Sequence, residues 1–393
     1  MLPFRDASAM SKLTSPHGSD LIDLAPDKPW RSDDDFQSQM LTGVSRTFAL
    51  TIPQLPAKLC RVVSNAYLLC RIVDTIEDEP GLSGARKNYF CQQFLKTLSV
   101  PRNAEAFSRQ LCASLSRQTS PAEHELIRNL PHVIRITRSF SEPQREALQR
   151  CIRTMAKGMG QFQLRGEKHG LQSMEDLDWY CYHVAGVVGQ MLTRLFCLHS
   201  PEIAKNHDAL MALAIPFGQG LQMTNILKDV WEDYHHGACW LPRQIFADEG
   251  FDLSELTTAR NRQGFERGLR RLLGVAHAHL RDAVSYSLLI PTQENGIRKF
   301  CLWAIGLAVL TLRKINAHLD YTDGSQVKIS RLSVKATILA TALTVHNDNL
   351  LKLLFQSAAR GLPLAPTQPR GSPVGTSESH ADKCTVKSPD DLT

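Results

Sequence analysis

Two stretches of this chain carry polar residues at helical spacing on segments that are otherwise apolar. From Gly218 to Asp233, the residues Gln222, Asn225, Asp229 and Asp233 recur at steps of three, four and four. That period places them along one face of a helix and leaves Leu221, Ile226, Leu227 and Val230 for packing. Lys228 falls on another side, so the spacing pairs no base with the polar face. The second stretch runs from Ala66 to Asp78, where Tyr67, Arg71, Asp74 and Asp78 recur at four, three and four. Each stretch predicts a helix with an apolar body and one polar stripe.

The same period continues along most of the chain. Helical patterning begins near Phe36, runs through Ala57–Leu98 with a break at Glu79-Pro-Gly81, and continues in amphipathic segments to residue 165. Ala106–Leu115 and His124–Ile136 are predicted as helices divided by Ser120-Pro121. Met155-Ala-Lys-Gly-Met-Gly160 is unusual helix sequence, because each glycine weakens a helix by up to ~1 kcal/mol. A close backbone approach explains such a pair. Ala185, Gly186 and Gly189 lie on an apolar segment and suit either tight helix packing or a groove for a lipid chain. Residues 263–290 form an Arg-rich amphipathic helix, and the apolar run Phe300–Leu312 is too short to span a bilayer, which takes about 20 residues. It is expected as a central buried helix. Val327-Lys-Ile-Ser-Arg331 opens a last helix reaching about Phe355. With few alternating strand patterns, the expectation is an all-α domain over 35–356, a helical bundle around a central apolar cavity. Residues 1–34 and 357–393, rich in Ser, Asp and Pro, are expected as a disordered leader and tail.

Composition narrows the classes. Of the 393 residues, 43% are hydrophobic, enough for a large core, and the formal charge of +6 is spread without a basic run, which argues against nucleic acid. The ten cysteines form no CxxC pair, which suits reduced thiols and excludes a zinc or disulfide framework. His235 and His236 are adjacent and face different ways, so they are expected in a solvated turn. No signal peptide pattern opens the chain. A cytoplasmic monomer touching the membrane only peripherally, at its inner face, is expected.

Carboxylates one turn apart repel, and burying bare charge is costly, so an acidic stripe belongs in water or around a cation. A single DxxxD is usually a solvated face. Two of them, on separate apolar helices, would build an acidic mouth on a hydrophobic cavity, and hard oxygen ligands suit Mg²⁺, which bridges to phosphates. Arg46, following Ser45 at a helix start, has the fork geometry of a phosphate clamp.

These residues resemble the squalene/phytoene synthase family of head-to-head prenyl transferases over roughly residues 37–355. The matching pieces are Ser45-Arg-Thr-Phe48, Tyr67 with Arg71 and Asp74-Thr-Ile-Glu-Asp78, Met155–Met159, Tyr180–Gly189, and Gln222–Asp233 with Trp240-Leu-Pro242. Arg298-Lys-Phe-Cys301 and Val327–Arg331 resemble the reductive, squalene-forming branch. The resemblance implies the isoprenoid-synthase fold, two farnesyl diphosphates as substrates, Mg²⁺, and NADPH for a final reduction. It implies metal binding at Asp74, Glu77, Asp78, Asn225, Asp229 and Asp233. It implies substrate contacts at Ser45, Arg46, Phe48, Tyr67, Arg71, Ala185, Gly189, Gln222 and Lys228, and NADPH contacts at Lys328 and Arg331. Tyr180 is implied to steer the cation or its proton. Lys228 departs from the family's usual Arg, and Ser330 interrupts a stretch that is more basic in eukaryotic members.

The implied reaction ionises an allylic diphosphate, with Mg²⁺, Arg46, Arg71 and Lys228 holding the leaving group while an apolar cavity keeps water from the cation. A cyclopropane product, presqualene diphosphate, would then be rearranged and reduced to squalene. The competing readings are a synthase that stops at presqualene diphosphate, dehydrosqualene or phytoene, a non-catalytic scaffold, which intact aspartate motifs disfavour, and a helical protein with idle acidic faces, which does not explain the repeated stripe.

Overall fold

The computed structural model describes residues 30–162, 170–257 and 261–365. The expected leader up to residue 29 and the expected tail beyond 365 lie outside them. Among the described residues the chain is helical, and its β-type contact is one isolated parallel bridge, Leu171 to Pro242. In order, the helices are α1 (Asp33–Val44), α2 (Arg46–Thr51), α3 (Ala57–Asp78), α4 (Gly84–Ser99), α5 (Ala104–Cys112) and α6 (Pro121–Arg128). Then follow α7 (Leu130–Arg138), α8 (Glu142–Phe162), α9 (Met174–Cys181), α10 (Val187–His199), α11 (Pro201–Ala204) and α12 (His207–Lys228). The chain continues through α13 (Val230–His235), α14 (Arg243–Ala247), α15 (Arg262–Leu289), α16 (Asn295–Ala317), α17 (Arg331–Thr344) and α18 (Asp348–Ala358).

Local chemistry explains most boundaries. Ser32 caps α1 by accepting from the Asp35 N–H at 3.1 Å, and Asp33, Asp34 and Asp35 complement the helix dipole. The first helix thus starts two residues before the expected 35, and packing reaches back to Trp30, edge-on to Phe36 at 5.2 Å. Three predicted helices are broken. The 124–136 segment divides at Asn129, because Pro131 cannot donate an amide to a continuing ladder. The Gly218–Asp233 segment divides at Asp229. The last segment divides once, between α17 and α18: Ser330 caps α17 through the Ser333 N–H at 3.1 Å, and Asn347 caps α18 through the Leu350 N–H at 3.0 Å. Ser330, where the sequence departs from a basic pattern, therefore serves as a helix cap. Beyond α18, the Pro363 carbonyl accepts from His277 Nδ1 at 2.9 Å and the Ala365 N–H donates to the Gly274 carbonyl at 3.2 Å. The packed chain runs past residue 356.

At the centre, α12 packs against α10, α15 and α16. The helix α16 is the one described helix long and apolar enough to cross a membrane, yet 67% of its most apolar window is buried among its neighbours. The glycines mark the tightest crossings. A Cβ on Gly189 would lie 2.2 Å from the Ala214 carbonyl oxygen, and one on Gly218 would lie 2.3 Å from that of Ala185. Between α9 and α10, residues Tyr182–Gly186 form a π-helical turn that carries His183 onto α8. A Cβ on Gly158 would meet the His183 ring at 2.2 Å. That is the close approach the glycine-bearing stretch of α8 required.

Candidate active site

The first wall is α3. Its predicted stripe forms as spaced, but it is buried: Asp74 is 0% exposed, Arg71 6% and Glu77 8%, with Asp78 half-buried at the end. Arg71 is not a free phosphate clamp. Its Nη2 donates to Glu123 Oε1 at 2.5 Å, while Nη1 stands 3.9 Å from Asp74 Oδ2. Glu123 is itself held as the third residue of the capping box that starts α6, where Ser120 Oγ donates to it at 2.7 Å. Burial opposes the Arg71 charge, but Glu123 first, then Tyr67, Asp74 and Asp78, keep it firmly protonated. Burial pushes Asp74 up, with Asp78 adding to it and Arg71 opposing. Glu77 is pushed up to about 7 by burial and by Asp78.

The second wall is the α12–α13 junction. Gln222 and Asn225 are 0% and 3% exposed. At Asp229 the backbone leaves helical geometry (φ −102°, ψ 15°), although its N–H still reaches the Asn225 carbonyl at 2.8 Å. The break corrects the single-helix reading. It also corrects the placement of Lys228, whose Nζ comes to 3.1 Å from Asp229 Oδ2 and so lies within the acidic group. Tyr321, from the loop after α16, donates its hydroxyl to the Leu227 carbonyl. The last turn of a helix leaves carbonyls without intrahelical partners, and this one is supplied from elsewhere in the chain. Burial first, then Asp229, Glu232 and Asp233, raise the Tyr321 pKa.

Tyr180 joins the two walls. It is 1% exposed, and its ring stacks on Trp240 at 4.1 Å and 9°. Its pKa is driven well above the usual tyrosine value by burial, then by Glu77, Asp233 and Asp78. Carboxylates from both α3 and α13 thus act on one hydroxyl, which keeps its proton at neutral pH. Trp240 is held by the segment whose Leu241 carbonyl accepts from the Leu171 N–H at 2.9 Å.

Below this mouth lies an apolar cavity with about 790 Å³ of atom-free space, part of it continuous with solvent. That is within the range of ~300–1,000 Å³ typical of ligand sites. Phe48 and Tyr67 line it near the mouth, their rings 5.0 Å apart, and burial pushes the Tyr67 hydroxyl up to about 12. Ala185 and Gly189 line its side, so the small residues serve helix packing and cavity shape together. Deeper, Phe196 and Phe300 meet edge-on at 6.1 Å. Tyr286 is fixed there by its hydroxyl, 2.9 Å from Thr193 Oγ1.

Other predicted residues are placed as follows. Ser45 caps α2, its Oγ accepting from the Phe48 N–H at 3.1 Å, and its side chain also hydrogen-bonds the Tyr67 hydroxyl. Arg46 is exposed on the first turn of α2. Lys328 and Arg331 are also exposed, beyond the 3₁₀ turn Gly324–Val327. That turn docks on α13, where the Gly324 N–H donates to Glu232 Oε1 at 3.1 Å. The basic pair therefore lies beside the second acidic wall but on the surface. Arg298 faces inward, 1% exposed, and pairs with Asp348 at the start of α18. Sequence reasoning missed Glu123, Tyr321 and the Thr193–Tyr286 lock. The capping box Ser120-Pro-Ala-Glu123 was legible, but its second role was not.

Among the described residues, no three His, Cys, Asp or Glu side chains close into a preformed ion cage. The acidic groups stand instead on two walls. Gln222 and Asn225 are the test of fit: every side-chain nitrogen and oxygen of both is buried and without a hydrogen-bond partner among the described residues. Leaving such groups unpaired costs ~1–3 kcal/mol each, so a polar ligand belongs there. Mg²⁺ is held by one or two carboxylates, waters and substrate phosphates, which matches two separated acidic walls and orphaned amides.

The comparisons agree with this geometry. The squalene synthase of Schizosaccharomyces pombe is 29% identical over 320 residues, covering 79% of this chain and 64% of the relative. Squalene synthase ERG9 of Gibberella zeae is 31% identical over 280 residues, covering 70% and 57%. This chain thus spans less than two thirds of those relatives' length. The structure of TcSQS with the ligand BPH1237 superposes with a TM-score of 0.67 at 22% identity, covering 84% of this chain and 98% of that one. A dehydrosqualene synthase superposes at 0.53 with 21% identity, covering 84% and 98%. These superpositions establish the all-α isoprenoid-synthase fold. The squalene/phytoene synthase family model matches residues 41–333, most of the chain, and the protein belongs to that family.

Proposed function

We propose that this protein is a prenyltransferase that joins two farnesyl diphosphates head to head, forms presqualene diphosphate, and reduces it to squalene. The observation that carries the reading is the meeting of two acidic helices over Tyr180 at the mouth of an apolar cavity. Diphosphates belong at the mouth, and the prenyl chains belong in the cavity among Phe48, Tyr67 and Leu221.

Mg²⁺ bound through Asp74, Asp78, Asn225, Asp229 and Asp233, with Glu77 beside them, would neutralise the departing diphosphate. Lys228 adds a cation at that wall, and Arg71, braced by Glu123, fixes the position of Asp74. As the first allylic bond ionises, the apolar walls exclude the water that would quench the cation. The second chain's double bond attacks, and a proton leaves to close the cyclopropane. Tyr180, protonated and stacked on Trp240, is held beside these carboxylates, where its hydroxyl can relay that proton.

Squalene formation needs a hydride, for which NADPH is the proposed donor. Lys328 and Arg331 suit its phosphates in charge and in their place at the start of α17. Both side chains are exposed, so they are given no part in the transfer itself. We place the reaction at a membrane surface, where a water-insoluble product leaves, with the protein acting as a monomer.

The test is incubation with farnesyl diphosphate and Mg²⁺, with and without NADPH, followed by lipid extraction. Squalene only with NADPH supports the proposal. Presqualene diphosphate or dehydrosqualene at saturating NADPH, without squalene, would replace it by the non-reductive reading, and no condensation product at all would end both.

A further inference from the structure

The helix α17 turns its leucines outward. Its inner face mixes threonines with the half-buried Val334 and Ile338: Thr341 is 3% exposed, and Thr337 lies so close to α16 that a Cβ on Gly306 would stand 2.5 Å from its methyl group. Its outer face carries Leu332, Leu339 and Leu343, which are 77%, 62% and 76% exposed. A helix that simply covers a globular core presents a polar outer face instead. The neighbouring α18 extends the apolar surface with Leu350 and Leu353, at 46% and 60% exposed. These leucines follow one another along a face rather than standing singly, and patches of this kind mark interaction sites.

Charge selects the partner. Between residues 324 and 360 the basic side chains are Lys328, Arg331, Lys335, Lys352 and Arg360, all exposed. The one acidic residue in that span is Asp348, and it is tied to Arg298. On α17, Lys335 lies one turn from both Leu332 and Leu339. An apolar stripe flanked by cations and free of carboxylates matches an anionic lipid surface, into which such a helix settles with its axis in the interface.

Through residue 365 the described chain does not take this face. After α18 it turns along α15, at the Gly274 and His277 contacts, whereas α17 packs on α16 and α18. The leucine face is also one helix away from the cavity. Phe300, Cys301 and Ala304 of α16 line the cavity, while Leu302 of the same helix packs with Val345 and Leu351 beneath α17 and α18.

We propose that α17 and α18 form a docking surface for an anionic bilayer, with Leu332, Leu339 and Leu343 inserted and Lys335 at the headgroups. The proposal draws on the reaction above for its purpose, since it sets the cavity wall against the phase that takes up the product. The binding itself needs no turnover.

The experiment is flotation of the full chain with two kinds of vesicle, phosphatidylcholine alone and phosphatidylcholine mixed with phosphatidylglycerol. The wild type and the triple variant Leu332→Gln, Leu339→Gln, Leu343→Gln are compared, with circular dichroism as the fold control and light scattering for mass. The wild type is expected to float with the anionic vesicles and to be released by salt. The triple variant should bind at least about tenfold more weakly, while keeping its turnover of farnesyl diphosphate in detergent. Equal flotation of both proteins, or none by the wild type, overturns the proposal. So does a wild-type dimer that the triple variant converts to a monomer, because a second copy would then be the occupant. Wild-type flotation without any condensation product would leave this surface standing and remove the proposed reaction.

Discussion

Replacing Glu123 by Gln should destabilise the protein and loosen its acidic mouth together. Glu123 and Arg71 are each 6% exposed, and their 2.5 Å contact is the closest charge neutralisation available to that guanidinium. Gln preserves the shape and remains acceptable as the third residue of a capping box, so the start of α6 should survive. What disappears is the negative charge opposite a buried cation. Breaking a buried pair from one side costs roughly 3–5 kcal/mol. Asp74, already 3.9 Å from Arg71, retains part of the compensation, so the lower end is expected, about 3 kcal/mol. Glu123→Ala also removes the cap and should cost about 1 kcal/mol more. In the Gln variant Arg71 is drawn toward Asp74, which competes with a metal for the same carboxylate. The Mg²⁺ concentration for half-maximal turnover should therefore rise. Urea denaturation measures the first effect and a Mg²⁺ titration of product formation the second. A cost below about 1 kcal/mol, the level of an exposed pair, with an unchanged Mg²⁺ requirement would refute the bracing role.

Three other outcomes are expected. Asp74→Asn or Asp229→Asn should reduce turnover by roughly two orders of magnitude or more with the helical signal intact, and near-wild-type activity at saturating Mg²⁺ would sink the two-wall mouth. Tyr180→Phe keeps the stack on Trp240, so melting should stay within ~1 kcal/mol of wild type while condensation slows about tenfold or more; unchanged kinetics would remove the hydroxyl from the mechanism. His279, packed by Gly220, is pushed down to about 4 by burial from its ordinary 6.5. The unfolded chain then binds a proton that the folded chain refuses, so this group's contribution is intact above pH 6.5 and is lost as the pH falls toward 4, at up to ~1.4 kcal/mol per pH unit. His279→Gln should flatten that acid limb in urea titrations, and an identical slope in both proteins would show that His279 is not responsible.

Helix is a local property, and that is why so much of this molecule could be read from spacing alone. The 3.6-residue period of α3, α12 and α16, the breaker pair after α3 and the polar stripes depend on side chains within a turn or two of one another. The all-α architecture, the two acidic helices and the apolar cavity follow from them. The finer boundaries also had local causes, Pro131 and the caps at Ser330 and Asn347, but a hydrophobic period runs through such positions and conceals them.

The tertiary structure decided what each polar group faces. Arg71 reads as a phosphate clamp until Glu123, 52 residues away, is brought against it. Lys228 points off the stripe of a straight helix, and the break at Asp229 turns it back beside a carboxylate. Ser45 has the side chain of a ligand group and is used as a cap. Glu77, Asp78 and Asp233 come from separate helices, and only the packing of α3 and α13 around Tyr180 makes them one electrostatic unit. The leucines of α17 share one face of a predicted helix, and only the packing of that helix on α16 shows that the face looks outward. Periodicity says that a helix has two faces; which face is buried depends on the surface it meets, and that surface is assembled from distant parts of the chain.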